Sequence, residues 1–63
     1  MKLVWDSEYT GPTYVNESHV EKAQSLWDKG IPEMEIVSQI RSDALGLYEA
    51  WAIIKFLRAN HPR

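Results

Sequence analysis

The sequence contains no cysteine among its 63 residues. This absence excludes a disulfide scaffold, a cysteine-based zinc site and a thiol nucleophile. No apolar run approaches the ~20 residues that a helix needs to cross a bilayer, and the first residues lack the cationic and apolar regions of a signal peptide. We therefore expect a cytoplasmic protein with no membrane partner.

Basic residues are also few, since seven Lys and Arg stand against nine Asp and Glu and give a formal net charge of −2. This balance opposes non-specific coating of nucleic acid, which requires a positive surplus. The only glycines, Gly11, Gly30 and Gly46, are too scattered to form a phosphate-binding loop. His19 and His61 lack the helical spacing of a metal-binding pair. We expect no enzyme activity, no cofactor and no metal site.

The first sixteen residues combine β-prone and turn-forming stretches. Leu3 and Trp5 stand two positions apart, at the alternating spacing of a β-strand, and residues 13–15 form a second β-prone patch. The Thr10-Gly11-Pro12 stretch between them is typical of a turn. Residues 1–16 are therefore predicted to form an extended arm or a short β-hairpin, which either folds back onto helices or reaches a partner.

Three amphipathic segments follow this arm. Asn16 or Ser18 can cap the first, whose apolar residues recur at helical spacing as far as Gly30. Pro32 suits the first turn of the second segment. The predicted helices span about residues 17–29, 32–42 and 47–59. The predicted fold class is all-α, a small three-helix bundle over residues 17–63 with residues 1–16 as its N-terminal arm.

The third predicted helix is more apolar than a bundle helix needs to be. Beside an ordinary core stripe, Ile53 and Phe56 widen its apolar arc to about 220° on a helical wheel. A lone three-helix bundle covers only part of such an arc. Either the N-terminal arm covers Ile53 and Phe56, or they form a dimer or partner surface; we favour the partner surface.

These features favour a non-enzymatic protein-interaction module that acts as an adaptor or modulator of a partner protein. We expect a homodimer first and a heterologous protein partner next, because so small a fold gains stability from association. A phage or bacterial accessory protein would suit a chain of this kind. The expected contact residues are Trp5, Tyr9, Tyr48, Ile53 and Phe56.

A DNA-binding regulator is the alternative function. Residues 26–37 resemble the opening of a helix-turn-helix domain, with Gly30 between the two helices. From residue 50 onward the chain has cations and no acids. If this resemblance holds, a dimer would contact DNA through Lys55, Arg58 and Arg63.

A different spacing pattern resembles the ubiquitin-associated (UBA-like) three-helix domain over residues 26–54. Gly30-Ile31 stands where that family has Gly-Phe, and Gly46-Leu47 falls at its second turn. The resemblance implies a three-helix fold that binds other proteins. Lys29 and Ile31 replace the methionine and aromatic residue of the family's binding loop, so ubiquitin itself is not the expected partner.

A shorter likeness covers the predicted turn between the second and third helices. Ile40-Arg41 and Leu45-Gly46-Leu47-Tyr48-Glu49-Ala50 are similar to a turn in the C-terminal domain of the bacterial ribosomal stalk protein. That domain docks translation factors. The likeness implies a pair of helices joined by a short turn, again in a module that binds proteins.

Overall fold

The computed structural model describes residues 1–63 and contains two strands followed by three helices. The prediction of an all-α fold is wrong, because 54% of the residues are helical and 21% are extended. The N-terminal segment forms a complete hairpin that belongs to the same domain as the helices. In chain order the elements are β1 (Lys2–Ser7), β2 (Gly11–Val15), α1 (Glu17–Asp28), α2 (Glu33–Ile40) and α3 (Leu47–Asn60).

The hairpin pairs β1 and β2 in antiparallel register, with Lys2 opposite Val15 and Ser7 opposite Gly11. Gly11 begins β2 with a φ of 75°, a value that favours glycine over residues with a Cβ. An irregularity between Leu3 and Trp5 shifts the register by one residue, as a β-bulge does.

Helix α1 has the capping chemistry that its sequence indicates at both ends. Asn16 is the N-cap, and its side-chain oxygen accepts a hydrogen bond of 3.0 Å from the backbone N–H of Ser18. At the other end Gly30 has a φ of 80°. Its N–H donates to the carbonyl of Trp27, while the Ile31 N–H donates to that of Leu26. This pair of bonds is a Schellman motif and ends the helix.

Helix α2 is shorter than predicted and ends at Ile40. Arg41 adopts an extended conformation, with φ −65° and ψ 133°. Beyond it, Ser42 and Leu45 exchange backbone hydrogen bonds of 2.9 and 3.1 Å and close a tight turn. Because Leu45 is buried at this turn, the connection to α3 is held by the core as well as by its own hydrogen bonds.

Helix α3 is the centre of the fold, since it contacts both strands and both other helices. The hairpin lies against one side of it and the α1–α2 pair against another. This placement explains the width of its apolar arc, which serves two packing faces. Five of its side chains are buried in the core: Ala50, Ala52, Ile53, Ile54 and Leu57.

Candidate interaction surfaces

The two apolar residues that suggested a partner surface on α3 are covered by the chain itself. Ile53 is 0% exposed, so the prediction that it contacts a partner is wrong. Phe56 packs against the core and is half-buried, with the Lys2 Nζ 4.9 Å from the centre of its ring. The arm therefore covers this face, and these two side chains no longer support self-association.

Trp5 joins the hairpin to α3. Its ring packs against the core from β1 and stays half-buried, with the Lys55 Nζ 4.9 Å from the ring centre. An ammonium group over an aromatic face is attracted by the negative charge of that face. The predicted protein-contact residue Trp5 and the predicted DNA-contact residue Lys55 thus form one pair.

The two predicted contact tyrosines lie in different settings. Tyr9 is at the hairpin turn and is 96% exposed. Tyr48, in the first turn of α3, is half exposed, and its hydroxyl lies 2.8 Å from that of Thr10. Hydrogen bonding from Thr10, with a smaller contribution from Thr13, lowers the pKa of Tyr48. Tyr48 therefore ties the hairpin turn to α3, whereas Tyr9 has no such role.

Arg58 forms an ion pair with Glu33 at the start of α2. The guanidinium donates to both carboxylate oxygens, with the Nε 2.7 Å from one of them. This hydrogen bonding lowers the pKa of Glu33 and raises that of Arg58. The charge of Arg58 is therefore largely matched within the chain.

Arg63 also has its partners within the chain. Its guanidinium lies 4.0 Å from the centre of the Trp27 ring and donates to the carbonyls of Trp27 and Ile31, at 3.0 and 2.6 Å. The Trp27 indole N–H in turn donates to the His61 carbonyl at 2.6 Å. These bonds hold residues 61–63 against the end of α1. Of the three cations proposed to contact DNA, only Lys55 has no carboxylate or carbonyl partner.

An open groove lies between α2 and the first turns of α3, and the sequence analysis missed it. Met34 is 76% exposed and Leu47 50% exposed, while Trp51 is half-buried and packs against the core. Polar and charged side chains from the α2–α3 connection border one end. The groove is lined by Met34, Val37, Ser38, Arg41, Ser42, Asp43, Leu47 and Trp51.

A signal for this groove does exist in the sequence. Met34, Val37, Ser38 and Arg41 recur at the i, i+3, i+4 and i+7 spacing of one helical face. The same spacing also describes an ordinary surface stripe. Only the position of α3 beside α2 shows that this stripe forms one wall of a groove.

The structure contains no group of three His, Cys, Asp or Glu side chains that could hold a metal ion. None of the three helices has both the length and the apolar character needed to cross a bilayer. No protein-family model, curated protein or solved structure matches this chain.

Proposed function

We propose that this chain is a non-enzymatic protein-interaction module of the cytoplasm, and that a partner protein docks in the α2–α3 groove. The observation that carries the proposal is the grouping of apolar side chains there, the exposed Met34 and Leu47 with the half-buried Trp51. Large apolar side chains that stay open to water next to one another are typical of protein contact sites.

The shape of the groove favours an amphipathic helix as its occupant. Two helices wall it, and Leu47 and Trp51 stand one turn apart on α3. A helix from a partner can place apolar side chains at i, i+3 or i+4, and i+7 into such a groove. Arg41 and Asp43 at one end offer a cation and an anion that can fix its direction.

A second copy of the chain is the less favoured occupant. Three apolar side chains offer well under the ~800 Å² per partner that stable protein interfaces bury. Self-association through the groove alone would therefore be weak.

Two of the three cations expected to contact DNA are bound within the chain. Arg58 is bound to Glu33 and Arg63 to backbone carbonyls and the Trp27 ring. Phosphate contacts depend on cations that are free to replace counterions, and the proposed face keeps only Lys55 of its three.

The groove is tested by selecting peptides from a displayed library of random twelve-residue sequences against the full chain. We expect the selected peptides to be amphipathic and helical when bound. The chemical-shift changes that these peptides cause in the chain should centre on Met34, Leu47 and Trp51. Leu47→Asp should weaken binding by about tenfold or more, since it places a charge in an apolar contact.

The matched control is Leu3→Asp, which makes the same change at a 43% exposed leucine of the hairpin. Both variants should keep the helical circular dichroism of the parent chain. The proposed docking site would be contradicted if the selected peptides shifted signals of residues outside the groove. It would also be contradicted if Leu3→Asp weakened peptide binding as much as Leu47→Asp does.

A further inference from the structure

The edge of β1 that faces away from β2 has no partner in the chain. The sheet contains two strands only, and no backbone hydrogen bond outside the regular elements involves residues 2–7. The outward N–H and C=O groups of this edge therefore have no backbone partner within the chain. Proteins use such an edge to bind an extended peptide as an added strand.

Lys2 in this strand and Lys55 on the neighbouring α3 form no ion pair with a carboxylate of the chain. The ammonium groups of Lys2 and Lys55 stand over the rings of Phe56 and Trp5. The one ion pair of the structure joins two other residues. An ammonium group carries three N–H donors, and a ring face leaves them open on the opposite side. Both lysines can therefore bind carboxylates of an incoming segment.

The bulge in β1 brings these two cations to the same side of the strand. Lys2 and Trp5 would point to opposite faces in a regular strand, but the register shift between Leu3 and Trp5 turns both toward α3. The two residues are about 10 Å apart along the strand. An extended peptide has the same rise per residue, so carboxylates two to four residues apart can reach both lysines.

A second copy and a nucleic acid both fit this edge less well. Antiparallel pairing of β1 with β1 of another copy can set Lys2 beside Asp6 of that copy, but it gives no carboxylate to Lys55 of either copy. A nucleic acid would find only two unmatched cations at this edge, whereas affinity for a phosphate backbone rises with the number of phosphates neutralised.

We propose that the free edge of β1 binds a short, extended, acidic segment of a partner protein by strand addition, with carboxylates on Lys2 and Lys55. This site is separate from the α2–α3 groove, and neither proposal depends on the other. A β-prone segment of alternating acidic and apolar residues has the matching chemistry, because the apolar side chains can also pack on Trp5.

The test uses the full chain and a ten-residue peptide that alternates Glu with Val or Thr. We expect binding to protect the backbone amides of residues 2–7 from hydrogen exchange and to shift the Trp5 indole N–H signal. Lys55→Glu should weaken binding by about tenfold, since it replaces an attraction by a repulsion. Lys29→Glu makes the same charge change at the exposed end of α1 and should leave binding unchanged.

Two further probes make the result decisive. A peptide with Gln in place of Glu removes the charges, and one with a central Pro removes a backbone donor; both should bind at least tenfold more weakly. The proposal is overturned if the acidic peptide does not bind, if it binds without amide protection, or if Lys29→Glu weakens it equally. If a twelve-nucleotide oligothymidine bound more tightly than the acidic peptide, the surface would be assigned to nucleic acid instead.

Discussion

At the scale of single residues, the pairing of Glu33 with Arg58 connects the start of α2 to the last turns of α3. The guanidinium holds the pKa of the Glu33 carboxyl below its ordinary value of about 4.3. The folded chain therefore binds fewer protons at this group than the unfolded chain. The stabilisation is present above pH ~4.3 and is lost as the pH falls through the lower folded pKa.

Glu33→Gln should consequently lower the free energy of unfolding at pH 7 by less than about 1 kcal/mol, as expected for an exposed ion pair. The difference from the parent chain should shrink as the pH falls from about 5 toward 3. Urea denaturation at several pH values measures this difference in the free energy of unfolding. Glu35→Gln, in the same helical turn without an ion pair, is the control; equal losses in both variants would show that only the helix dipole is involved.

The same ion pair shows what sequence reasoning can say about a charged residue. The excess of cations after residue 50 is visible in the sequence, and it suggested a surface for DNA. The partner of Arg58 lies 25 positions earlier in the chain, and no local pattern links the two. The sequence showed where the cations are, but whether each cation is free to bind DNA depended on tertiary contacts.

At the scale of elements, local signals were sufficient for the helices. Asn16 and Gly30 mark the two ends of α1, and the three helices lie within two residues of their expected boundaries. The role of the hairpin could not be predicted in the same way. Its turn residues could be recognised in the sequence. Whether its apolar face packs on α3 or on a partner is decided by tertiary packing, which no local pattern shows.

Val4→Ala tests whether the hairpin is part of the cooperative fold. Val4 is buried in the shared core, so removing its methyl groups should lower the free energy of unfolding by about 1–2 kcal/mol. The helical signal at 222 nm and tryptophan fluorescence should still change in one transition.

The control for this experiment is Tyr14→Ala, at a half-exposed position on β2, which should cost less. If Val4→Ala alters tryptophan fluorescence while the helical transition stays where it was, the hairpin folds separately from the helices. That result would contradict the two-sided packing of α3.

At the scale of the whole molecule, the chain closes its own core around α3 and leaves a limited apolar opening between α2 and α3. The prediction that α3 carries more apolar surface than the chain can cover is wrong, because the hairpin and the other helices cover it. Ile53 is enclosed, while Met34 and Leu47 are open. Sequence periodicity separates core-like from surface-like faces, but here two core-like faces share one helix and the open residues follow an ordinary surface spacing.

The enclosed core and the open α2–α3 groove are tested together by methyl NMR of the full chain with a water-soluble gadolinium chelate, at two protein concentrations a hundredfold apart. We expect strong broadening of the Met34 and Leu47 methyl signals and protection of Ile53 and Leu45 at both concentrations. Broadening of Ile53, or protection of Met34 that appears only at the higher concentration, would contradict a self-closed core with an open groove.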